Sequence, residues 1–206
     1  MRRKGIKNLL IDFGGVLIDL DRERCIENFE KLGLADIDKM LGDFHHQGLF
    51  LQQEKGLISS AEFRTGLREQ FGKVPTDRQI DAAWNSFLGS IPSYKLDLLL
   101  KLREKYVVYL LSNTNEIHWK WACKHAFPYR TFQVEDFFEK TYLSYEMKMA
   151  KPDPEIFKTV LEDAGIEAGE TLFIDDSLEN CEAAEKLGIM TYNASPDENW
   201  GHLFKL

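Results

Sequence analysis

Residues 8–17 read NLLIDFGGVL, an apolar run that ends in one carboxylate and two glycines. The run predicts a buried strand of a parallel sheet. Asp12 then stands at the carboxyl end of that strand, where open α/β sheets bind their ligands. Gly14 and Gly15 allow a sharp turn and the close approach of a ligand. Taken alone, the stretch leaves Asp12 three roles: nucleophile, metal ligand or cap of the next helix.

Composition narrows the class of protein. The chain has 206 residues and a net charge of −8, so we expect no nucleic-acid partner. No apolar run reaches the roughly 18 residues that a membrane span needs, and we expect neither a span nor a signal peptide. Cys25, Cys123 and Cys181 form no CxxC pair, which favours a reducing cytoplasm.

The chain changes character after the first strand. Residues 19–91 carry helical patterns without a strand pattern, and Ser59 with Glu62 has the spacing of a capping box. From residue 92 onward, strand patterns alternate with helix patterns. We therefore predict an α/β fold with a doubly wound parallel sheet, a core domain of residues 1–18 and 92–206, and a helical cap domain of residues 19–91.

Polar side chains follow three of the predicted strands. The carboxyl ends of parallel strands share one edge of the sheet, so these groups can meet in one crevice. Lys151 lies just before a predicted helix start and can join them. The side chains at the strand ends are Asp12, Ser112, Asn113, Asp175 and Asp176.

This set has a chemical logic. Three adjacent carboxylates repel one another unless they hold a hard divalent cation, and Mg²⁺ prefers oxygen ligands together with a phosphate. Ser112, Asn113 and Lys151 are suited to hold phosphate oxygens. Asp12 is then free to attack phosphorus as a covalent nucleophile.

Four motifs in this order resemble the haloacid dehalogenase superfamily, most of whose members are Mg²⁺-dependent phosphatases. The motifs are IDFGGV (11–16), LLSNTN (110–115), MAKPDPEIF (149–157) and FIDDSLEN (173–180). The resemblance implies a Rossmann-like core with a helical cap. It also implies Asp12 as nucleophile, Lys151 as catalytic and phosphate-binding cation, and a Mg²⁺ site made by Asp12, the Gly14 carbonyl and Asp176, with Asp175 beside them.

Within this superfamily the chain is most similar to bacterial α-D-glucose 1-phosphate phosphatases, and more distantly to the phosphatase domain of soluble epoxide hydrolase. The segments behind this assignment are LSNTN (111–115), YLS (142–144) and QQEKGLIS (52–59). The resemblance therefore implies a small phosphorylated metabolite, a sugar phosphate, as the substrate.

One position departs from the family pattern. Phosphatases of the family carry a second aspartate two residues after the nucleophile, which protonates the leaving group and then activates water. Gly14 occupies that position here. Asp19, His45, His46 and Glu54 are the candidates to replace the missing acid.

We thus expect a Mg²⁺-dependent phosphatase that works through an aspartyl-phosphate. One alternative is a 2-haloacid dehalogenase, which also uses an aspartate nucleophile but needs no metal. Another is a phosphate-binding protein whose catalysis is weakened by the loss of the acid at Gly14. Metal dependence separates the first two hypotheses, and any turnover excludes the third.

Overall fold

The protein is built around one five-stranded sheet in which every neighbouring pair of strands is parallel. The computed structural model describes residues 5–42, 48–72, 74–196 and 198–205. The strand order is β3-β2-β1-β4-β5. The strands are β1 (Asn8–Ile11), β2 (Val107–Ser112), β3 (Lys140–Leu143), β4 (Thr171–Asp175) and β5 (Met190–Asn193).

Helices make the connections between the strands. The sheet is thus the doubly wound parallel sheet that the sequence predicts. The helices are α1 (Arg22–Lys31), α2 (Ile37–Gly42), α3 (Leu49–Glu54), α4 (Ser60–Phe71), α5 (Asp77–Asn85), α6 (Ser93–Arg103), α7 (Glu116–His125), α8 (Val134–Phe137), α9 (Ser144–Met147), α10 (Pro154–Ala164) and α11 (Leu178–Glu185).

Three apolar clusters hold these elements together. Alternate residues of β1 point to opposite faces of the sheet, so Leu9 and Ile11 belong to one cluster and Leu10 to another. A third cluster joins helices α1 to α5, with Phe50 and Trp84 among its members. The described part of residues 19–91, the helical segment, therefore packs around an apolar cluster that Ile117 of α7 also joins, and it contains helices but no strand.

Local sequence signals fix several helix ends. The capping box predicted at Ser59 and Glu62 forms, and Gly72 ends α4 in the left-handed conformation with φ of 60°. The Asn115 side chain caps α7 by accepting a hydrogen bond from the backbone N–H of His118 at 3.0 Å. This cap starts α7 directly after the polar end of β2.

The short helices α2, α3, α8 and α9 have no counterpart among the predicted elements. Each has four to six residues, which is too short for a 3.6-residue periodicity to be visible. Tertiary packing forms them: Phe50 of α3, for example, is 2% exposed and packs edge-on against Trp84 with ring centroids 4.8 Å apart. Among the described residues, no helix is long and apolar enough to cross a membrane.

Candidate active site

The carboxyl edge of the sheet brings together two aspartates and a lysine. The Lys151 ammonium lies 2.7 Å from Asp12 Oδ1 and 2.6 Å from Asp175 Oδ2. Its third hydrogen bond goes to the carbonyl oxygen of Leu111 at 3.0 Å. All three donors of this ammonium are therefore in use, and the group is held rigidly between β1, β2 and β4.

Asp175 is the most heavily bonded group of the site. Its Oδ1 accepts hydrogen bonds from the Ser177 backbone N–H and from Asn180 Nδ2, both at 2.9 Å, while Oδ2 binds Lys151. The residue is completely buried. Both oxygens of Asp175 thus have protein partners, so this side chain orients Lys151 in the arrangement seen here.

Asn113 fixes the segment that carries Lys151. Its Oδ1 accepts a hydrogen bond from the Lys151 backbone N–H, and its Nδ2 donates to the Lys151 carbonyl oxygen, both at 2.9 Å. The sequence predicts that Asn113 binds phosphate. In the structure its side-chain amide is paired with the backbone of Lys151, a positioning contact that the sequence pattern does not reveal.

Two serines flank this contact. Ser112 ends β2 and is almost fully buried, with its hydroxyl 3.3 Å from the Asn113 carbonyl oxygen. Ser144 lies just after β3, and its Oγ accepts from the Thr114 backbone N–H at 2.9 Å and lies 2.7 Å from the carbonyl oxygen of Glu54 in α3. Ser144 therefore ties the helical segment to the edge of the sheet.

Asp176 completes the acidic cluster. Oxygen atoms of Asp12, Asp175 and Asp176 all lie within 4.8 Å of one another, and the Asp176 residue is exposed. A Cβ at Gly15, whose φ is +71°, would lie 2.2 Å from Asp176 Oδ2. Only glycine allows both this backbone conformation and the approach of this carboxylate.

The charges of the site are unbalanced. Burial raises the pKa of the Asp12 carboxyl to about 8, Lys151 opposes this rise, and repulsion from Asp175 and Asp176 adds to it. Burial and repulsion from Asp175 also raise the pKa of Asp176. Burial disfavours the charged form of Lys151, but Asp12 and Asp175 hold its pKa above the ordinary value.

Three carboxylates facing one ammonium form a site that suits a further cation. A hard divalent ion with oxygen ligands lowers the pKa of neighbouring carboxyls and offsets their repulsion. The carboxylate oxygens of Asp12 and Asp176 fit Mg²⁺ by their chemistry. The Gly14 carbonyl as a third ligand stays a prediction. The structure thus unites Asp12, Lys151, Asp175 and Asp176 as the sequence predicts.

The four candidates for the missing acid lie in different parts of the chain. Glu54 ends α3 and is buried, and Asp19 lies where the helical segment begins, its backbone bonded to residues 89 and 90. His45 and His46 lie outside the described residues. The positioning contacts of Ser144 and Asn180 were not predicted, although both residues lie in the quoted motifs, because a lone serine or asparagine carries no distinctive spacing.

The family can be decided by comparison with known proteins. Residues 6–188 match the haloacid dehalogenase-like hydrolases. The chain belongs to this family. The fold class and the family predicted from the four motifs are therefore confirmed for this haloacid dehalogenase-like hydrolase.

Three relatives of this hydrolase are informative. The D-ribitol-5-phosphate phosphatase of Bacteroides thetaiotaomicron is 40% identical, and the match covers 95% of each chain. A haloacid dehalogenase family enzyme from the same organism, solved with magnesium and inorganic phosphate, is 71% identical with a TM-score of 0.94; the match covers 98% of our chain and 100% of that one. A haloacid dehalogenase-like hydrolase from Porphyromonas gingivalis is 41% identical with a TM-score of 0.89, covering 95% and 94% of the two chains.

Proposed function

We propose that this hydrolase is a Mg²⁺-dependent phosphatase of a small sugar or sugar-alcohol phosphate. The observation that carries the proposal is the buried Asp12–Lys151–Asp175 arrangement beside Asp176 at the edge of the sheet. The relatives named for ribitol 5-phosphate and solved with magnesium and phosphate support it. The closer likeness to glucose 1-phosphate phosphatases stays a prediction.

Asp12 is the nucleophile of the proposed reaction. One of its carboxylate oxygens attacks phosphorus, the bond from phosphorus to the ester oxygen breaks, and an aspartyl-phosphate forms on Asp12. Water then attacks this phosphorus and releases inorganic phosphate. A bound Mg²⁺ would be held by Asp12, Asp176 and the Gly14 carbonyl, and it would offset the negative charge of the phosphoryl group.

Lys151 is the protein's own electrostatic catalyst. Its ammonium lies 2.7 Å from the nucleophile, where it neutralises charge that develops on the phosphoryl oxygens. Asp175 and Asn113 hold it in place, so little reorganisation is needed during the reaction. Ser112 is a further proposed phosphate ligand, and phosphate binding by Asn113 stays a prediction.

The helical segment is the proposed cap over this site. Closure of such a segment excludes water and selects the substrate. The acidic cluster supports a metal-dependent reaction rather than dehalogenation, which requires no metal. Cys25, Cys123 and Cys181 are free thiols, which supports the proposed cytoplasmic location.

The proposal is tested by phosphate release from ribitol 5-phosphate, glucose 1-phosphate and p-nitrophenyl phosphate, with Mg²⁺ and with EDTA. We expect turnover only with Mg²⁺, and a loss on the order of 10⁴-fold or more in Asp12→Asn because the nucleophile is gone. Asp38→Asn, which removes an exposed carboxylate paired with Arg22, is the control and keeps full activity. Equal phosphate release in EDTA, or by Asp12→Asn, would contradict the proposal.

A further inference from the structure

Position 14, two residues after Asp12, carries no side chain that could act as an acid. Gly14 stands where a second aspartate would be expected, and a Cβ built there would lie 3.3 Å from Leu20 Cδ1. The Leu20 side chain therefore occupies part of the space that a carboxyl at position 14 would need. Any group that protonates the leaving alkoxide has to come from elsewhere in the chain.

Glu54, the last residue of α3, is a buried carboxyl without a protein partner. It is only 6% exposed, and within the described ranges its carboxylate makes no hydrogen bond or ion pair. By contrast, the buried carboxylates of Asp12 and Asp175 both bind Lys151. A largely buried carboxyl without a protein partner keeps its bonding capacity for a molecule that reaches it.

The position of Glu54 is fixed against the edge of the sheet. Its carbonyl oxygen is 2.7 Å from Ser144 Oγ, which also bonds to the backbone of Thr114, two residues after Ser112. The close packing continues at Gly56, where a Cβ would lie 1.9 Å from the Tyr145 carbonyl oxygen. These contacts hold the end of α3 above the carboxyl ends of β2 and β3.

Gln53, the residue before Glu54, is also a buried polar residue. Gln53 is 2% exposed, and its Oε1 accepts a hydrogen bond from Trp84 Nε1 at 3.2 Å. Its Nε2 is buried and has no partner within the described ranges. The bond to Trp84 thus ties Gln53, and with it the end of α3, to α5 of the helical segment.

We propose that Glu54 is the general acid and base of this phosphatase and replaces the acid that is absent at position 14. This inference rests on the proposed function.

Glu54 then both donates and accepts the proton that the reaction requires. When Asp12 attacks phosphorus and the ester P–O bond breaks, the protonated Glu54 gives its proton to the departing alkoxide oxygen. In the second half, the Glu54 carboxylate takes a proton from the attacking water as the new O–P bond forms and the Asp12–phosphorus bond breaks. Glu54 is protonated again and phosphate leaves.

The electrostatics of the site suit both halves of this cycle. Burial raises the pKa of Glu54 to about 7, against the opposing positive charges of Lys151 and Lys55. Near neutral pH the residue therefore exists in both forms, the condition under which one group serves best as acid and then as base. The influence of Lys151 also places the carboxyl within electrostatic reach of the ammonium that contacts Asp12.

The test compares an alkyl leaving group with one that needs no proton. In Glu54→Gln we expect phosphate release from ribitol 5-phosphate to fall about 10²–10⁴-fold. With p-nitrophenyl phosphate, the nitrophenolate leaves unaided, but the aspartyl-phosphate is then hydrolysed slowly. Stopped-flow absorbance therefore shows a burst of one nitrophenolate per enzyme, and intact-mass spectrometry finds one phosphoryl group on the protein.

Matched variants separate a chemical role from a structural one. Gln52→Ala changes an exposed neighbour on α3 and keeps wild-type kinetics. Glu54→Asp keeps a proton donor and retains more activity than Glu54→Gln, and Asp12→Asn/Glu54→Gln gives no burst. Equal losses on both substrates without a burst, or unchanged turnover of ribitol 5-phosphate in Glu54→Gln, would overturn the role of Glu54 alone. Absence of turnover by the wild type would overturn the proposed function and this inference with it.

Discussion

The sheet edge and the end of α3 both bury carboxylates, but they treat them in opposite ways. At the sheet edge, Asp175 is completely buried and each of its oxygens has a protein partner. At the end of α3, Glu54 is nearly as buried and its carboxylate has no partner in the described part of the chain. Burying a charge is costly in both places, and only the sheet edge compensates for it internally.

The difference separates two tasks. The sheet edge holds Lys151 against Asp12, the proposed nucleophile, through protein partners alone, as electrostatic preorganisation requires. The end of α3 carries a carboxyl that we propose exchanges its proton with a bound substrate. Three variants test whether this contrast holds.

The largest effect is expected for Asp175→Asn. Removing one partner of a buried ion pair leaves Lys151 poorly compensated, so the free energy of unfolding should fall by about 3–5 kcal/mol. Asp163→Asn is the control, because Asp163 binds Lys140 at 2.6 Å but is exposed, and it should cost about 1 kcal/mol or less. Urea denaturation measures both values, and similar losses would mean that burial of the pair adds nothing.

A pH-dependent effect is expected for Glu54→Gln. The pKa of Glu54 is raised from 4.5 to about 7, so the folded wild type keeps a proton that the unfolded chain releases as the pH passes 4.5. Wild-type stability therefore falls relative to the variant between these pH values. At about 1.4 kcal/mol per pKa unit, we expect the variant to equal the wild type at pH 4 and to exceed it by about 3 kcal/mol at pH 8.

The control for this effect has the opposite sign. Bonds from Ser59 lower the pKa of Glu62, so its stabilising contribution is present at high pH and is lost as the pH falls. Glu62→Gln should therefore be less stable than the wild type near neutral pH and approach it under acid conditions. Chemical denaturation across the pH range compares the two variants. If the free energy of unfolding of Glu54→Gln changed with pH in parallel with that of the wild type, the contrast between the two regions would be contradicted.

The smallest effect on stability is expected for Gly15→Ala, read against Gly165→Ala. Both glycines have positive φ, +71° and +64°, so both variants should lose about 1 kcal/mol. Only at Gly15 does the new Cβ meet Asp176, whereas open space surrounds Gly165. Isothermal titration should therefore show weaker Mg²⁺ binding for Gly15→Ala alone, and equal binding by both variants would remove Asp176 from the proposed metal site.

The sequence predicted the features that depend on residues close together in the chain. Apolar runs predict buried strands, and Asp12, Ser112 and Asp175 follow directly after three such runs. The sequence therefore predicted that these residues meet at one edge of the sheet. The capping box at Ser59 and Glu62 was visible for the same reason. These signals depend on neighbours within a few residues.

The sequence did not predict the contacts between residues that are far apart in the chain. The pairing of the Asn113 amide with the backbone of Lys151 joins residues 38 positions apart, and the bond from Ser144 to Glu54 spans 90. No spacing rule connects such positions. The short helix α3 has the same difficulty, because packing of Phe50 into the apolar cluster forms it rather than its own periodicity.

The central place of β1 in the sheet bears on how the chain is made. β1 pairs with residues 107–110 on one side and with residues 171–174 on the other, so a ribosome releases this apolar strand long before either partner exists. The helical segment emerges next and can begin to assemble around its apolar residues, while β1 remains without a sheet. Sheet formation must then wait for contacts between distant parts of the chain, which are slow to form and prone to aggregation until closed. The strand that carries Asp12 is thus translated before both of its neighbours in the sheet, and its environment is completed late in synthesis.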